Sequence, residues 1–495
     1  MIFLLFFLGA ISLFFLFVKH RKNEPINPPP GPKGLPIIGN LHQFDPSKPA
    51  HLYFAKLAKI YGPILSLRLG QRTMVVIQSA KVAKQVLQAP HNNFCNRLIT
   101  AGAQRLSYNG LDVVFAPYGD YYREVKKLFV VHVLSTKRVQ SFTPIRQEEV
   151  SRIVRKISTL SSDSKVVNLS ELAVSYTTSI LCRIAFSKRY EDDETSRSRF
   201  HNLLNEAQAM FAGFFFVDHF PLVGHWVDKL AGKYSRLEKT FKKLEDFYEE
   251  IINDHRNKPK SAQEDIIDIL LNLKNEGSFA FELTMDHIKA TLMDMFVAGT
   301  DTMTAMIVWV MTELARNPDV MEKVQQELRN AIQNKGYVEE DDLSNLEYFK
   351  AVVKETFRLH PPGPILIPRE SLEKNTIEGY DILPNTIISL NLWAIGRDPE
   401  FWDDPDSYKP ERFLGSSVNF LGHDFQFIPF GSGKRVCPGL NLGVAVLELL
   451  VANLIYSFDW ELPKGLKKED IDTDVQHGVV MHKKNPLCLV AKPIS

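Results

Sequence analysis

The sequence contains few cysteines. Four occur in 495 residues, and no two of them form a C-x-x-C pair. Such scattered cysteines argue against a zinc site and against a disulfide framework, and they suit a reducing compartment. The four are Cys95, Cys182, Cys437 and Cys488.

An excess of charge of one sign is also missing. The formal net charge is +1, which gives no reason to expect a nucleic-acid partner. After residue 40 we find neither a low-complexity break nor an internal repeat. The length therefore predicts one large enzyme domain or two fused lobes.

The most informative segment is a basic, glycine-rich loop around one cysteine. Residues 430–439 read FGSGKRVCPG and precede an apolar stretch. The glycines let the backbone turn tightly and approach a flat macrocycle. Lys434, Arg435 and the start of the next helix are expected to keep a thiolate deprotonated. The loop thus predicts Cys437 as an axial thiolate ligand of haem iron.

Other interpretations of this loop fit less well. A phosphate loop needs Ser or Thr after Lys434, where Arg435 stands, and a dinucleotide fingerprint needs glycine where Val436 stands. A buried structural cysteine remains an alternative, but such cysteines usually have apolar neighbours.

A second motif lies at residues 298–302, which read AGTDT within an apolar, helix-forming stretch. Asp301 and Thr302 would then be an acid and an alcohol inside a buried helix, where polar groups need a reason to be. From these residues alone, an acid bridging to a neighbouring helix and a hydroxyl bonded to its own backbone explain the pattern equally well.

A third motif is structural. Glu355 and Arg358 are three positions apart and share a helix face, and Arg412 in a later P-E-R-F segment can complete a charge network with them. An isolated pair of this kind would usually be a solvated surface pair.

Together these motifs resemble those of the cytochrome P450 family, and the resemblance covers essentially the whole chain. It implies a mainly α fold with small β-sheets and a haem b cofactor held by Cys437. In the family, an acid such as Asp301 relays protons and an alcohol such as Thr302 assists oxygen activation. The cofactor-binding residues expected by resemblance are Phe430, Gly431, Gly433, Gly439, Arg435, Arg369, Arg97, Tyr122 and Lys126.

One departure from the family stands out. Tyr122 and Lys126 occupy positions where the family usually has Trp and, four residues later, Arg. Tyr offers a hydroxyl and Lys a charge, but the bidentate Arg fork is lost.

The N-terminus predicts a membrane anchor. Residues 2–18 are apolar and are followed at once by the basic run 19–22. A cleaved signal peptide would carry its basic residues before the apolar stretch. We expect residues 1–22 to form a single transmembrane helix in the endoplasmic reticulum membrane, with the catalytic domain in the cytosol. A proline-rich hinge at 23–40, for which an SH3-type ligand is the weaker alternative, precedes the catalytic domain at 41–495.

The remaining segments predict mostly helices and one hairpin. Alternation in 64–69 and 73–77 predicts two antiparallel strands. Apolar residues at helical spacing predict helices at 237–257, 284–317, 318–333 and 345–360.

The resemblance also implies partners and a reaction. We find no nicotinamide or flavin fold, so the electrons are expected from an NADPH-cytochrome P450 reductase, for which Arg123, Lys126 and Lys127 could form a docking patch.

The substrates would be O2 and a small hydrophobic metabolite, since the chain looks most like plant microsomal enzymes of specialised metabolism. A haem-thiolate isomerase or dehydratase, or a haem sensor without turnover, are the alternatives, and the Asp301–Thr302 pair favours the monooxygenase. The expected pocket lining is 98–115, 210–216, 296–298, 365–366 and 479–480.

Overall fold

The structure is a computed structural model that describes residues 26–494, except 46, 90–92, 163–164, 192, 257–263 and 278. The predicted transmembrane anchor at 1–22 lies outside the described residues.

The described part of the chain is mainly helical, as the resemblance implied, with sixteen α-helices. They are α1 Ala50–Tyr61, α2 Ala80–Leu87, α3 Ala101–Leu106, α4 Asp120–Lys127, α5 Thr136–Ser141, α6 Thr143–Ser162, α7 Leu169–Phe186, α8 Glu194–Phe211, α9 Gly224–Leu230, α10 Lys233–Arg256, α11 Ile266–Glu276, α12 Met285–Arg316, α13 Pro318–Ile332, α14 Glu347–Leu359, α15 Leu392–Ile395 and α16 Leu440–Ser457. The four helices predicted from periodicity are confirmed to within a few residues at each end.

Ten described strands form three small sheets. They are β1 Ile64–Leu69, β2 Arg72–Ile77, β3 Asn96–Arg97, β4 Val166–Asn168, β5 Arg369–Glu370, β6 Asn375–Ile377, β7 Tyr380–Ile382, β8 Ile387–Leu390, β9 Phe458–Glu461 and β10 Cys488–Pro493. The sheets have the orders β1-β2-β8-β5-β3, β4-β10-β9 and β6-β7. The predicted hairpin is confirmed, because β1 and β2 pair antiparallel with Ile64 opposite Ile77.

Helix α12 is the central element of the core. It packs against α7, α14 and α16, and nearly all of its residues are buried except in its middle. Its N-terminus has a capping box between Thr284 and His287, and it ends where Pro318 begins the next helix. Two described helices, α12 and α16, are long and apolar enough to span a membrane. Both are largely buried in this core, and apolar core helices have the same composition.

The described part of the proline-rich segment, residues 26–40, lies on the first sheet. The Ser66 N–H donates to the Pro30 carbonyl at 2.8 Å, and the Arg68 N–H donates to the Asn40 side chain at 2.7 Å. Gly31 makes this approach possible, since a Cβ there would lie 1.9 Å from the Ser66 oxygen. In residues 26–40 the segment is therefore packed on the domain and is not a free spacer, whereas the division of the chain at 22 and 40 stays a prediction.

The predicted charge network is confirmed. The Arg358 guanidinium makes two hydrogen bonds of 2.7 Å to the Glu355 carboxylate, and Arg412 donates to the same carboxylate at 3.0 Å. Glu355 and Arg358 are fully buried, and Arg358 also donates to the Gly396 and Pro405 carbonyls. The network ties α14 to the loop that leads to the cysteine.

Candidate haem-thiolate site

The cysteine loop closes on itself through the backbone. The Cys437 N–H donates to the Phe430 carbonyl at 2.9 Å, and Gly431 and Gly433 have φ values of 73° and 69°. These left-handed positions are those that glycine adopts at little cost. The loop ends at Gly439, directly before α16. The sulfur is thereby presented at the N-terminus of a long core helix.

The electrostatics around this sulfur differ from the prediction. Burial raises the pKa of the Cys437 thiol, and the Gly439 N–H opposes this shift. Lys434 is exposed, and Arg435 extends to the carbonyls of Cys95 and Ala116. Among the described residues, the group that lowers the pKa of this thiol is the Gly439 N–H at the helix N-terminus, whereas the Arg435 guanidinium is directed toward the loop before α4.

Three guanidinium groups are buried in this region. Arg97 donates to the Val114 and Ile367 carbonyls at 2.9 and 2.8 Å. Arg435 donates to the Cys95 carbonyl at 2.9 Å and the Ala116 carbonyl at 2.6 Å. To the described residues, Arg369 makes two long hydrogen bonds of 3.3 Å, both to carbonyls, and its buried Nε has no partner among them.

Burial lowers the pKa of all three cations, and the neighbouring guanidiniums add to this at Arg97 and Arg369. Burial and the neighbouring guanidiniums lower the pKa of Arg97 to about 9, and burial chiefly lowers that of Arg369 to about 10. Within the described residues none of the three forms an ion pair, although Asp112 lies near enough to raise the pKa of Arg97 and Arg435 slightly. Uncompensated buried cations are costly, so this cluster is suited to an anionic group such as a pair of carboxylates.

Tyr122 and Lys126 have a shared partner. The Tyr122 hydroxyl donates to the Lys434 carbonyl at 2.7 Å, and the Lys126 ammonium donates to the same oxygen at 2.6 Å. In this structure both side chains hold the backbone of the cysteine loop. Their predicted contact with the cofactor stays a prediction.

The middle of α12 is the part of the helix that is not buried. Val297, Ala298, Gly299, Asp301 and Thr302 are partly exposed, although the helix is buried on both sides of them. Solvent-accessible space therefore reaches α12 at the predicted motif. The Thr302 hydroxyl donates to the Ala298 carbonyl at 2.6 Å. This is the bond to the helix's own backbone that the sequence analysis gave as one interpretation.

Asp301 faces the C-terminal loop and not a neighbouring helix. Its Oδ2 lies 3.5 Å from His482 Nε2. That loop is held by Met481, whose N–H donates to the Pro362 carbonyl at 2.8 Å and whose carbonyl accepts from the Trp309 indole at 2.6 Å. His482 is a functional candidate that the sequence analysis missed, because no local pattern links it to residue 301.

Only part of the expected pocket lining lies together. Phe115, before α4, and Phe211, at the end of α8, stack at 5.5 Å with an angle of 8° between the rings. Phe215 is instead buried in the core, and Phe214 stacks on His219 at the surface. From the sequence alone, a Phe-rich segment that lines a pocket cannot be distinguished from one that is buried in the core or exposed at the surface.

The sequence analysis also missed Asp112 and Asp294, which are buried and accept backbone N–H groups of the same loop, those of Phe115 and Val113 respectively. The signal for Asp294 was its acid side chain in an otherwise apolar helix. Nothing in the sequence pairs it with residue 112.

Comparison with known proteins decides the family. The family model described as Cytochrome P450 matches residues 29–490. The chain belongs to the cytochrome P450 family. This P450 is 44% identical over 500 residues to 6,7,8-trihydroxycoumarin synthase of Pastinaca sativa, covering 99% of this chain and 98% of that protein. It is 43% identical over 486 residues to strychnine-11-hydroxylase of Strychnos nux-vomica, covering 97% and 94%.

A solved structure supports the fold. A zebrafish cytochrome P450 with progesterone has a TM-score of 0.77 and 24% sequence identity, covering 90% of this chain and 100% of that one. The P450 is accordingly a haem-thiolate monooxygenase. Its residues fit the cofactor: a buried thiol at a helix N-terminus can ligate iron, and the cluster of buried guanidiniums can receive the two carboxylates of haem b.

Proposed function

We propose that this P450 hydroxylates a small, flat, apolar metabolite of plant specialised metabolism. The observation that carries the proposal is the similarity along the whole chain to enzymes named for trihydroxycoumarin formation and for strychnine hydroxylation. The stacked rings of Phe115 and Phe211 support it, because aromatic rings favour flat, apolar partners.

We assign the roles within the site as follows. Cys437 ligates the iron, and Arg97, Arg369 and Arg435 bind the haem carboxylates. When bound, the haem supplies O2 activation and the transfer of one oxygen atom to the substrate. Asp301 holds and passes a proton at its carboxylate, and the Thr302 hydroxyl takes part in the same transfer.

The motif at residues 298–302, in the middle of α12, and the open space beside it thus serve proton delivery. Asp301 is half-buried, so its carboxylate can exchange protons with solvent while it lies beside His482 of the C-terminal loop. Thr302 can release its bond to Ala298 and donate into the open space, since a hydroxyl rotates about one bond.

For the electrons we propose an NADPH-cytochrome P450 reductase. It would dock on the basic face near the cysteine loop, where Arg123, Lys127 and Lys434 are exposed. Arg123 and Lys127 are each paired with an acid on α4, so Lys434 is the least compensated charge of the three.

For the location we propose the endoplasmic reticulum membrane, with a single N-terminal span and a cytosolic catalytic domain. A patch of exposed apolar side chains supports a second membrane contact: Leu222 is 82%, Trp226 64% and Leu230 88% exposed. The β1–β2 turn joins this region to the proline-rich segment, because the Gln71 N–H donates to the His219 carbonyl and the Gly70 N–H to the Ile38 carbonyl.

The function is tested by incubating the full-length P450 with reductase, NADPH and 18O2. The substrate panel contains coumarins, polycyclic alkaloids and, as size-matched controls, acyclic terpenoids. We expect one labelled oxygen atom in the product and turnover confined to the ring compounds. Equal turnover of the acyclic compounds would contradict the substrate class, and product without label would contradict the monooxygenase.

The location is tested by deleting residues 1–22 and measuring flotation with vesicles. We expect weaker membrane association with haem incorporation retained, and a further loss when Leu222, Trp226 and Leu230 are changed to Ser in the truncated protein. Undiminished flotation of that last variant would contradict both membrane contacts.

A further inference from the structure

Two buried carboxyl groups meet between α12 and the loop that precedes α4. Asp112 is 1% exposed and Asp294 is 8% exposed, and the two carboxyl groups are neighbours, since Asp294 accepts the N–H of the residue that follows Asp112. Asp112 belongs to the loop and Asp294 to the central helix. Buried acids of this kind are rare unless they are paired.

Both carboxyl groups also hold the loop backbone. The Val113 N–H donates to Asp294 Oδ2 at 3.0 Å, and the Phe115 N–H donates to Asp112 Oδ1 at 2.8 Å. The loop therefore has one acid of its own and one acid of α12, and each holds one of its amides.

The carbonyl groups of the same loop hold two of the buried arginines. Arg97 donates to the Val114 carbonyl, and Arg435 donates to the Val113 and Ala116 carbonyls. The position of these guanidiniums thus depends on a loop that the acid pair keeps in place.

A hydrogen bond between the two carboxyl groups requires a proton on one of them. Two adjacent buried carboxyl groups cannot both be charged at low cost, so one of them stays neutral. Asp112 Oδ2 is buried without an N–H or hydroxyl donor among the described residues. Arg97 and Arg435 lie near Asp112 and favour its charged form. The proton therefore stays on Asp294.

We propose that Asp294 is a neutral carboxylic acid that shares its proton with Asp112, and that this pair positions the loop 112–116 and, through it, Arg97 and Arg435. Asp294 and Asp112 are positioning residues, since they act through the loop. The proposal concerns how the haem-binding arginines are held and does not depend on the identity of the substrate.

The surroundings of the pair leave few other groups that could titrate with it. Burial and the two acids raise the pKa of Tyr121, whose hydroxyl donates to the Leu111 carbonyl at 2.9 Å. Burial also raises the pKa of Tyr248 on α10. Arg97 and Arg435 stay charged. Desolvation, and then the charge of Asp112, raise the pKa of Asp294.

The sign of the pH effect follows. A carboxyl group whose pKa is raised by folding stabilises the folded state below its ordinary pKa, and this stabilisation is lost as the pH rises toward the folded-state value. Relative to Asp294→Asn, the parent should become less stable with rising pH, by up to about tenfold in the unfolding constant per pH unit.

The experiment compares the haem-loaded parent with Asp294→Asn, Asp294→Ala and the control Asp286→Asn, an exposed acid on the same helix. Infrared spectroscopy detects the C=O stretch of a protonated carboxylic acid, and hydrogen exchange measures protection of the peptide that contains Val113 and Phe115. Haem loss is measured by transfer to an excess of a haem-binding acceptor protein.

We expect the carboxylic-acid band in the parent and in Asp286→Asn but not in Asp294→Asn. Asn preserves both hydrogen bonds, so Asp294→Asn should keep the exchange protection and bind haem like the parent, with less dependence of stability on pH. Asp294→Ala should lose protection in the loop and release haem about tenfold faster, the effect of one lost hydrogen bond of about 1.4 kcal/mol.

Two results would overturn the proposal. The first is a parent spectrum without the carboxylic-acid band, or with a band that persists in Asp294→Asn. The second is a folded Asp294→Ala protein with unchanged exchange in the loop and unchanged haem loss. If Asp294→Ala does not fold, the infrared comparison between the parent and Asp294→Asn decides alone.

Discussion

The Arg435 guanidinium lies over the ring of Tyr122, with 3.7 Å between its central carbon and the ring centre. Tyr122 therefore contacts the cysteine loop twice, through its ring face and through the hydroxyl bonded to the Lys434 carbonyl. A planar guanidinium on an aromatic face is a favourable contact when both groups are desolvated. The departure from the usual Trp thus keeps a ring under Arg435 and adds a hydrogen bond to the loop.

This arrangement predicts coupling between Tyr122 and Lys126. Tyr122→Phe keeps the ring and removes one donor to Lys434, and Lys126→Met removes the other. We expect each single change to cost about 1 kcal/mol or less, because the remaining donor still satisfies the carbonyl. The double variant should cost more than the sum, since it leaves the carbonyl unpaired. Denaturant unfolding of the four proteins gives the coupling energy, and strict additivity would contradict a shared acceptor.

Cys437→Ala should abolish the thiolate-type spectrum of the reduced carbon-monoxide complex, together with turnover. Cys437 lies at the start of α16 inside the glycine-rich loop, whereas Cys488 lies in β10. Cys488→Ala is therefore the matched control and should keep both properties. A thiolate-type spectrum that survives Cys437→Ala would assign the ligand to another residue.

Thr302→Ala should leave the haem spectrum and substrate binding nearly unchanged but divert reducing equivalents from product to peroxide or water. Asp301→Asn should slow turnover about 10²-fold or more, if the carboxylate contributes as general acids and bases usually do. The measurement is product formed per NADPH oxidised, with reductase. Met303→Leu, at a buried neighbouring position, is the control, and unchanged coupling in both motif variants would leave the pair only a structural role.

Arg358→Lys should destabilise the protein by about 3–5 kcal/mol, because Lys cannot replace the two-pronged contact with the buried Glu355 carboxylate. Arg199→Lys is the control, since Arg199 and Glu250 form a pair that is about half exposed and should change stability by less than about 1 kcal/mol. Thermal unfolding and haem content measure the difference. Equal effects at the two sites would contradict the structural role of the buried network.

Asp218 predicts a pH effect at the contact between the 216–218 turn and α3. Its carboxylate accepts the Ala101 N–H at 2.9 Å, and burial raises its pKa to about 6. Since the raised pKa favours the neutral form, this contribution to stability is lost as the pH rises from about 4 through 6. Asp218→Asn keeps the acceptor oxygen and should be more stable than the parent at pH 8, by on the order of 1 kcal/mol after allowance for partial exposure, but not at pH 4. Unfolding curves at the two pH values test the sign.

Local patterns predicted much of this molecule. The β1–β2 hairpin follows from alternation around Gly70, and α12 and α13 follow from helical spacing with Pro318 between them. The contact of Glu355 with Arg412 was predicted from the planar donors of Arg412 and from the resemblance of the two segments to those of the family.

Long-range contacts between polar groups could not be predicted. The pairs Asp301–His482 and Asp112–Asp294 join residues more than 180 positions apart, and no periodicity reports such a meeting. The direction of the Arg435 side chain could not be predicted for a related reason. Arg435 is two positions from Cys437, but its guanidinium extends to the Cys95 and Ala116 carbonyls, and closeness in sequence does not fix the direction of a long side chain in a tight turn.

The two hydrogen bonds of the Met481 backbone have a consequence for protein engineering. With its N–H bound to Pro362 and its carbonyl bound to the Trp309 indole, the C-terminal loop has a fixed register against α12. Insertions or deletions there would break both anchors at once, whereas side chains at Val479 and Val480 can change without moving the backbone. Libraries that aim to alter product regiochemistry should therefore randomise those two positions and keep the loop length constant.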